Sequence, residues 1–298
     1  MNRTVFNALL VFVAGASYGF IVPAVKAARS IGVFPADFLP LQYLVASAAC
    51  LGFALIRRVR FASPRECAKM ALLGALTGLT SICYYASVSM LPSAAALTLL
   101  FQYVWVSVLI ECIVERHLPS RSTIIAIVIV LVGTLFAAGV FEGSLETLDP
   151  VGVALGAGSA VFYALYLYLS GRIGTDQSTT LRAAMLPLGG LIVTSIANPA
   201  CYTTALFDAN VWPFAIGMCI LGVILPTTLI NYASPKLTTG MVSVMASSEL
   251  PVGILVAWAL VGDTPSPLVL LGAILVLVGI VVKQLPEIRR GRRAEPTR

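Results

Sequence analysis

Glu249 is an acid at the centre of an apolar run, within Ser247-Ser248-Glu249-Leu250-Pro251. A lone carboxylate at mid-depth in a bilayer costs about 2.5–3.5 kcal/mol on insertion scales, so it needs a partner, a water-filled cavity or a proton. Its chemistry would be to hold a cationic group or to carry a proton. Pro251 adds to the case for a cavity. It lacks a backbone donor and frees a carbonyl one turn back, near Met245-Ala246-Ser247. Irregular helix at such depth is tolerated where it lines a cavity. A second acid in an apolar run, Glu111, lies one turn before Glu115. It reads as structural, snorkelling to the surface or pairing with Arg116.

Other reactive types form no set. Six cysteines include no CxxC pair, and His117 is the one histidine. No metal, cofactor or catalytic residue is therefore expected, and the cysteines read as small packing residues. Gly15-Ala16-Ser17-Tyr18-Gly19 fits G-x-S-x-G, but that motif needs a strand-to-helix elbow with a histidine and an acid nearby. As G-x-x-x-G it reads instead as a close helix contact, like Gly74 with Gly78 and Gly152 with Gly156. There is no Walker A motif, so ATP drive is not encoded.

The elements that must position Glu249 are membrane helices. Of 298 residues, 59% are hydrophobic and 11% charged, with a mean hydropathy of +0.96. A soluble domain carries roughly 25% charged residues, which excludes that class and a nucleic-acid-binding domain. Ten apolar runs are long enough to cross a bilayer: 5–25, 37–56, 67–90, 93–113, 122–141, 150–171, 180–201, 211–233, 237–261 and 267–283. The first is too long for a signal-peptide core and ends at Lys26 and Arg29. With the N-terminus in the cytoplasm, 17 Lys and Arg fall inside and only Lys26 and Arg29 outside, which supports ten spans with both termini cytoplasmic. The outer loops are acidic, with Asp37, Glu142, Glu146, Asp149, Asp208 and Asp263. Residues 287–298 form a basic cytoplasmic tail, a topology anchor near anionic lipid.

The chain repeats itself weakly. Tyr85-Ala86-Ser87 recurs as Tyr232-Ala233-Ser234, Val130-Leu131-Val132-Gly133 as Val276-Leu277-Val278-Gly279, and Pro119-Ser120 as Pro265-Ser266. Tyr18 matches Tyr163, and all four offsets lie between 145 and 147. Five spans per repeat is odd, so the two halves, 1–145 and 146–286, must insert in opposite directions. The predicted fold is an all-α polytopic membrane protein, ten transmembrane helices in two inverted-topology five-helix repeats. The offset of 147 carries Glu249 onto Gln102 and Tyr84 onto Asn231. A substrate site at mid-membrane would then draw on Glu249, Gln102, Tyr84, Tyr163, Tyr18 and Asn231. Lys26 and Arg29 read as snorkelling side chains at the outer end of span one.

These features resemble the drug/metabolite transporter superfamily, specifically the EamA-type ten-helix transporters, over about residues 5–285. The resemblance is carried by Gly15-Ala16-Ser17-Tyr18-Gly19 with Lys26, Phe38-Leu39-Pro40, Ser93-Ala94-Ala95-Ala96-Leu97 leading to Glu115-Arg116, the repeated Leu-Val-Gly of spans five and ten, and Ser248-Glu249-Leu250-Pro251-Val252. The chain departs from the family at four places. Tyr18 stands for a frequent Trp, Gln42-Tyr43 for an Arg in span two, Val104 for a Pro in span four, and Asp263 for a Glu. Without that Arg, no anion-binding role carries over.

The resemblance implies a basket in which spans 1, 3, 4, 6, 8 and 9 enclose a cavity. It also implies export or exchange of small metabolites, often amino acids, across the bacterial inner membrane. The expected mechanism is secondary transport by alternating access. Its partners would be a small-molecule substrate, the lipid bilayer and a coupling proton, without nucleic acid. A lipid flippase or a membrane-embedded enzyme on a lipid-linked substrate is the alternative, and a passive channel is a third reading. Oligomeric state is not readable from the chain.

Overall fold

The structure is a computed structural model describing residues 3–91, 93–137, 149–262 and 264–294. Glu142, Glu146, Asp263, the boundary between residues 145 and 146, and Arg298 lie outside the described residues. Helices α1 (Arg3–Tyr18) and α2 (Ile21–Ser30) form span one, α3 (Pro35–Ile56) span two and α4 (Pro64–Met90) span three. Span four is α5 (Ser93–Leu100) and α6 (Tyr103–Glu115), and span five is α7 (Arg121–Ala137). In the second half, α8 (Pro150–Ser170) and α9 (Thr179–Ala197) are spans six and seven. Span eight joins α10 (Trp212–Met218) to α11 (Leu225–Ala233) through a π-helical turn. Span nine is α12 (Thr239–Ala246) and α13 (Glu249–Val256), and span ten is α14 (Pro267–Ala294). Nine of these spans are long and apolar enough to cross a membrane, and α7, at 17 residues as described, is a shorter apolar helix.

Helix starts follow from short capping signals. Ser63, Asp149, Ser178 and Thr238 accept backbone N–H groups from the first turns of α4, α8, α9 and α12, and proline opens α3, α4 and α8. Span seven stops at Ala197, short of the predicted 201. Pro199 forces Asn198 out of helical geometry, and two 3₁₀ turns, Pro199–Tyr202 and Ala205–Phe207, carry the chain onward. Helix α14 continues past the predicted span to Ala294, so the basic tail begins as helix.

Packing pairs come in couples related by exchanging the halves. Helix α4 packs on α8 as α1 packs on α11; α6 packs on α8 as α1 packs on α12 and α13; α7 lies along α14. The predicted small-residue contacts are present. A Cβ on Gly15 would lie 2.4 Å from the Ala246 carbonyl oxygen, and one on Gly19 would lie 2.8 Å from that of Glu249. Span one therefore presses its backbone against the middle of span nine.

Spans four and nine are both broken at mid-length, and the breaks are 146 residues apart. In span nine, Pro251 cannot bond the Ser247 carbonyl, and the N–H of Leu250 takes it instead at 3.2 Å. The tightened turn at Ser247–Ser248 separates α12 from α13. In span four the turn at Phe101–Gln102 forms without a proline, since Val104 stands opposite Pro251. There the N–H of Gln102 bonds the Leu99 carbonyl at 3.2 Å, and Gln102 Nε2 donates to the carbonyl of Thr98 at 3.0 Å. The side chain satisfies the broken backbone from within its own helix.

Candidate functional site

The break in span nine makes Glu249 the first residue of α13 and turns its carboxyl towards the centre of the bundle. Ser248 Oγ fixes the break by donating to the Phe12 carbonyl of α1 at 2.7 Å. Glu249 is 8% exposed, and what it meets is a cavity of about 350 Å³. The cavity runs from Tyr18, Tyr84 and Glu249 along α2 and α13 to Lys26, Arg29 and Thr264. Its far end is the end of the bundle opposite the described chain termini. A side chamber of about 50 Å³ shares Tyr18, Tyr84, Tyr85 and Glu249 with it. Glu249 is the one carboxylate among the described residues lining either space, and it makes no hydrogen bond or ion pair within the described protein. Five phenols, Tyr18, Tyr84, Tyr85, Tyr103 and Tyr163, lie within electrostatic reach of it.

Four of the six sequence-predicted residues are brought together here. Tyr18 meets Tyr163 edge-to-face with ring centroids 6.1 Å apart, and Tyr84 and Glu249 line the same cavity. The other two are elsewhere. Gln102 is committed to the backbone of its own break, and its Oε1 accepts from Trp105 Nε1 at 2.8 Å on the half-exposed face of span four. It does not line the cavity. Asn231 is buried against Arg182: its Oδ1 accepts from Arg182 Nη2 at 2.8 Å, and its Nδ2 donates to Tyr166 Oη at 2.9 Å and to the Thr227 carbonyl at 2.7 Å. Pseudo-symmetry places a residue at the right depth but does not say which way its side chain turns.

Arg182, one of the 17 basic residues counted on the cytoplasmic side, is buried. It is 3% exposed, and it donates to the carbonyls of Ser170 and Asn231. An arginine at the carboxyl end of α8 satisfies carbonyls the helix leaves open. Lys26 and Arg29, read as snorkelling or, as the lesser alternative, as residues of the outer mouth, line the mouth of the cavity. Tyr85 and Gln42 line the site and are residues the sequence reading missed. Tyr85 opens the repeated Tyr-Ala-Ser triplet, and Gln42 stands where the family often has Arg, so both carried a signal.

Towards the chain termini the two halves meet in layers. The rings of Tyr103 and Tyr163 lie 4.6 Å apart. One turn on, Ser107 Oγ of α6 touches Ser243 Oγ of α12. Next, Glu111 accepts the backbone N–H of Thr239 at 3.0 Å. Last, Arg172 bonds Glu115, lies 3.7 Å from Glu111, and stacks 3.7 Å over the Tyr168 ring. Ser107, Glu111 and Glu115 recur every fourth residue, so one face of α6 carries all three contacts. Glu111 is thus structural as predicted, but its partners are Thr239 and Arg172 rather than Arg116. Glu111, Glu115 and His117 present ligand atoms within 4.8 Å of one another, and the guanidinium of Arg172 supplies the positive charge that this group faces. The Glu115 hydrogen bond to His117 at 3.1 Å holds the imidazole above its ordinary pKa.

The comparisons with known proteins agree with this architecture. The EamA-like transporter family matches residues 5–139 and 150–283, one match per half. No curated protein matches the chain. A solved crystal structure, described only as that of a protein, superposes with a TM-score of 0.77 over 96% of this chain and 98% of that one, at 17% identity. That likeness establishes a shared fold. With both halves matched, ten apolar spans and a central cavity, the chain belongs to the EamA-like transporter family and is a multi-pass membrane transporter of small molecules.

Proposed function

We propose that the protein is a secondary active transporter that exports or exchanges small metabolites, such as amino acids, across the bacterial inner membrane. Under the positive-inside distribution both termini are cytoplasmic, so the cavity faces the outer side and the layered contacts close the inner side. Alternating access would reverse the two, with the halves rocking around Glu249. Glu249 holds the substrate ammonium or the coupling proton, and Tyr18, Tyr84 and Tyr163 supply ring faces and hydroxyls around it. Each partner then offsets the cost of a carboxylate taken out of water. The observation that carries this reading is a carboxylate, single and without a partner among the described residues, at the deep end of a cavity that reaches one end of the bundle.

Counterflow in proteoliposomes loaded with a mixed pool of amino acids and other metabolites tests it. The wild-type protein should exchange one class saturably. Glu249→Gln should weaken apparent affinity for an amine by about a hundredfold, since removing one partner of a buried charge pair costs about 3 kcal/mol or more. If exchange survives the substitution while proton-driven accumulation is lost, Glu249 carries the proton. Wild-type exchange and an unchanged pH profile in Glu249→Gln would refute both roles.

A further inference from the structure

The side chamber differs in chemistry from the main cavity. The main cavity runs outward between aliphatic side chains such as Val22, Val88, Leu97 and Ile254. The chamber lies between spans two, three and eight and is lined by Gln42, Tyr43, Thr77, Thr80 and Ser81. The protons of the four hydroxyls on these side chains are already committed, whereas Tyr163 Oη, which also lines the chamber, is buried without a hydrogen-bond partner. Thr77 Oγ1 donates to the Gly74 carbonyl at 2.8 Å, Thr80 Oγ1 to Leu76 at 2.8 Å, and Ser81 Oγ to Thr77 at 3.1 Å. Tyr43 Oη donates to Thr77 Oγ1 at 3.3 Å. The Thr77, Thr80 and Ser81 hydroxyls sit on α4 and bond back along it, and Tyr43 Oη reaches across from α3 to Thr77, which leaves oxygen lone pairs as what these groups offer to a guest. Gln42 is 3% exposed, and its Oε1 is buried without a hydrogen-bond partner. A buried acceptor left unsatisfied costs about 1–3 kcal/mol, so the arrangement is incomplete without a donor.

We infer that this chamber is a specificity subsite for a hydrogen-bond-donating group, a hydroxyl or a carboxamide NH₂, carried by the same substrate whose amine meets Glu249. The inference rests on the proposed amine role of Glu249. The junction shared by the two spaces lets one small molecule reach both: its ammonium at Glu249, its donor group towards Gln42, Thr80 and Ser81. An apolar substituent in the chamber would leave Gln42 Oε1 unpaired and displace whatever water satisfied it. A site built to pair with a hydroxyl rejects the analogue that lacks one more strongly than an apolar pocket rejects an added hydroxyl.

Matched probes test this in the full-length protein. Counterflow competition would compare L-serine with L-alanine, L-threonine with L-2-aminobutyrate, and ethanolamine with ethylamine. Wild-type protein should favour the donor-bearing member of at least one pair by about tenfold, the net worth of one hydrogen bond. Gln42→Met and Thr80→Val, each close in volume to the native side chain, should bring that ratio towards one while leaving the apolar member's affinity within about threefold. Ser81→Ala provides a third, smaller change should either of the others impair folding. Glu249→Gln should weaken both members of every pair alike. A wild-type ratio near one, or variants that weaken both members equally, would overturn the subsite. If instead Glu249→Gln changes neither member, the amine role fails and the subsite fails with it, a distinguishable pattern.

Discussion

Glu249 and His117 are titratable side chains at opposite ends of the closure. Glu249 faces the cavity, while His117 lies outside the spans and is half exposed beside Glu115. Because His117 is the only histidine, its titration can be followed without assignment. Its NMR midpoint should lie above the ordinary value of about 6.5 and fall back towards it in Glu115→Gln. A pairing that raises the imidazole pKa contributes while the ring is charged and is lost as pH rises through that raised value. A midpoint at or below the ordinary value would remove His117 from the closure. Single residues were unevenly legible. Glu249 announced itself because an acid in an apolar run must have a reason. Gln102 looked equivalent by offset, yet its side chain serves a break that no proline signals. Arg182 reads from the sequence only as a basic residue of the cytoplasmic side, because its burial depends on α8 and α11, which no local pattern connects to it.

Helix order, span number and repeat layout were legible because each follows from apolar length, proline and capping residues, and basic loops. Where helices touch was legible only at the glycines. Gly15 and Gly19 permit the backbone contact that holds the span-nine break in place. Gly15→Ala puts a methyl group 2.4 Å from a carbonyl oxygen and should cost about 1–3 kcal/mol, read as a lowered thermal midpoint in detergent. Gly52→Ala faces open space and should hold or raise that midpoint, since alanine is the better helix former by about 1 kcal/mol. Equal effects at both positions would contradict the close contact between spans one and nine. The bend at Phe101–Gln102 and the π-helical turn of span eight had no counterpart in the sequence reading. They arise where tertiary packing and a single side chain decide which carbonyls are satisfied.

For the whole molecule, alternating access requires that the two ends of the bundle are never open together. Ser107, Glu111 and Glu115 on one half meet Ser243, Thr239 and Arg172 on the other, on the side away from the cavity. Breaking that layer should expose the deep site from the terminal side. The direct measurement is accessibility of single cysteines in a cysteine-free background, in sidedness-defined vesicles with a membrane-impermeant thiol reagent. Val88→Cys lines the described cavity, and Ser243→Cys lies in the closed layer. Without substrate, Val88→Cys should label from the outer side and Ser243→Cys from neither. Adding Arg172→Met should make Ser243→Cys reactive from the terminal side while slowing Val88→Cys. Labelling of both positions from the outer side, with no reciprocal change on loosening the layer, would contradict alternating access and identify a continuous pore.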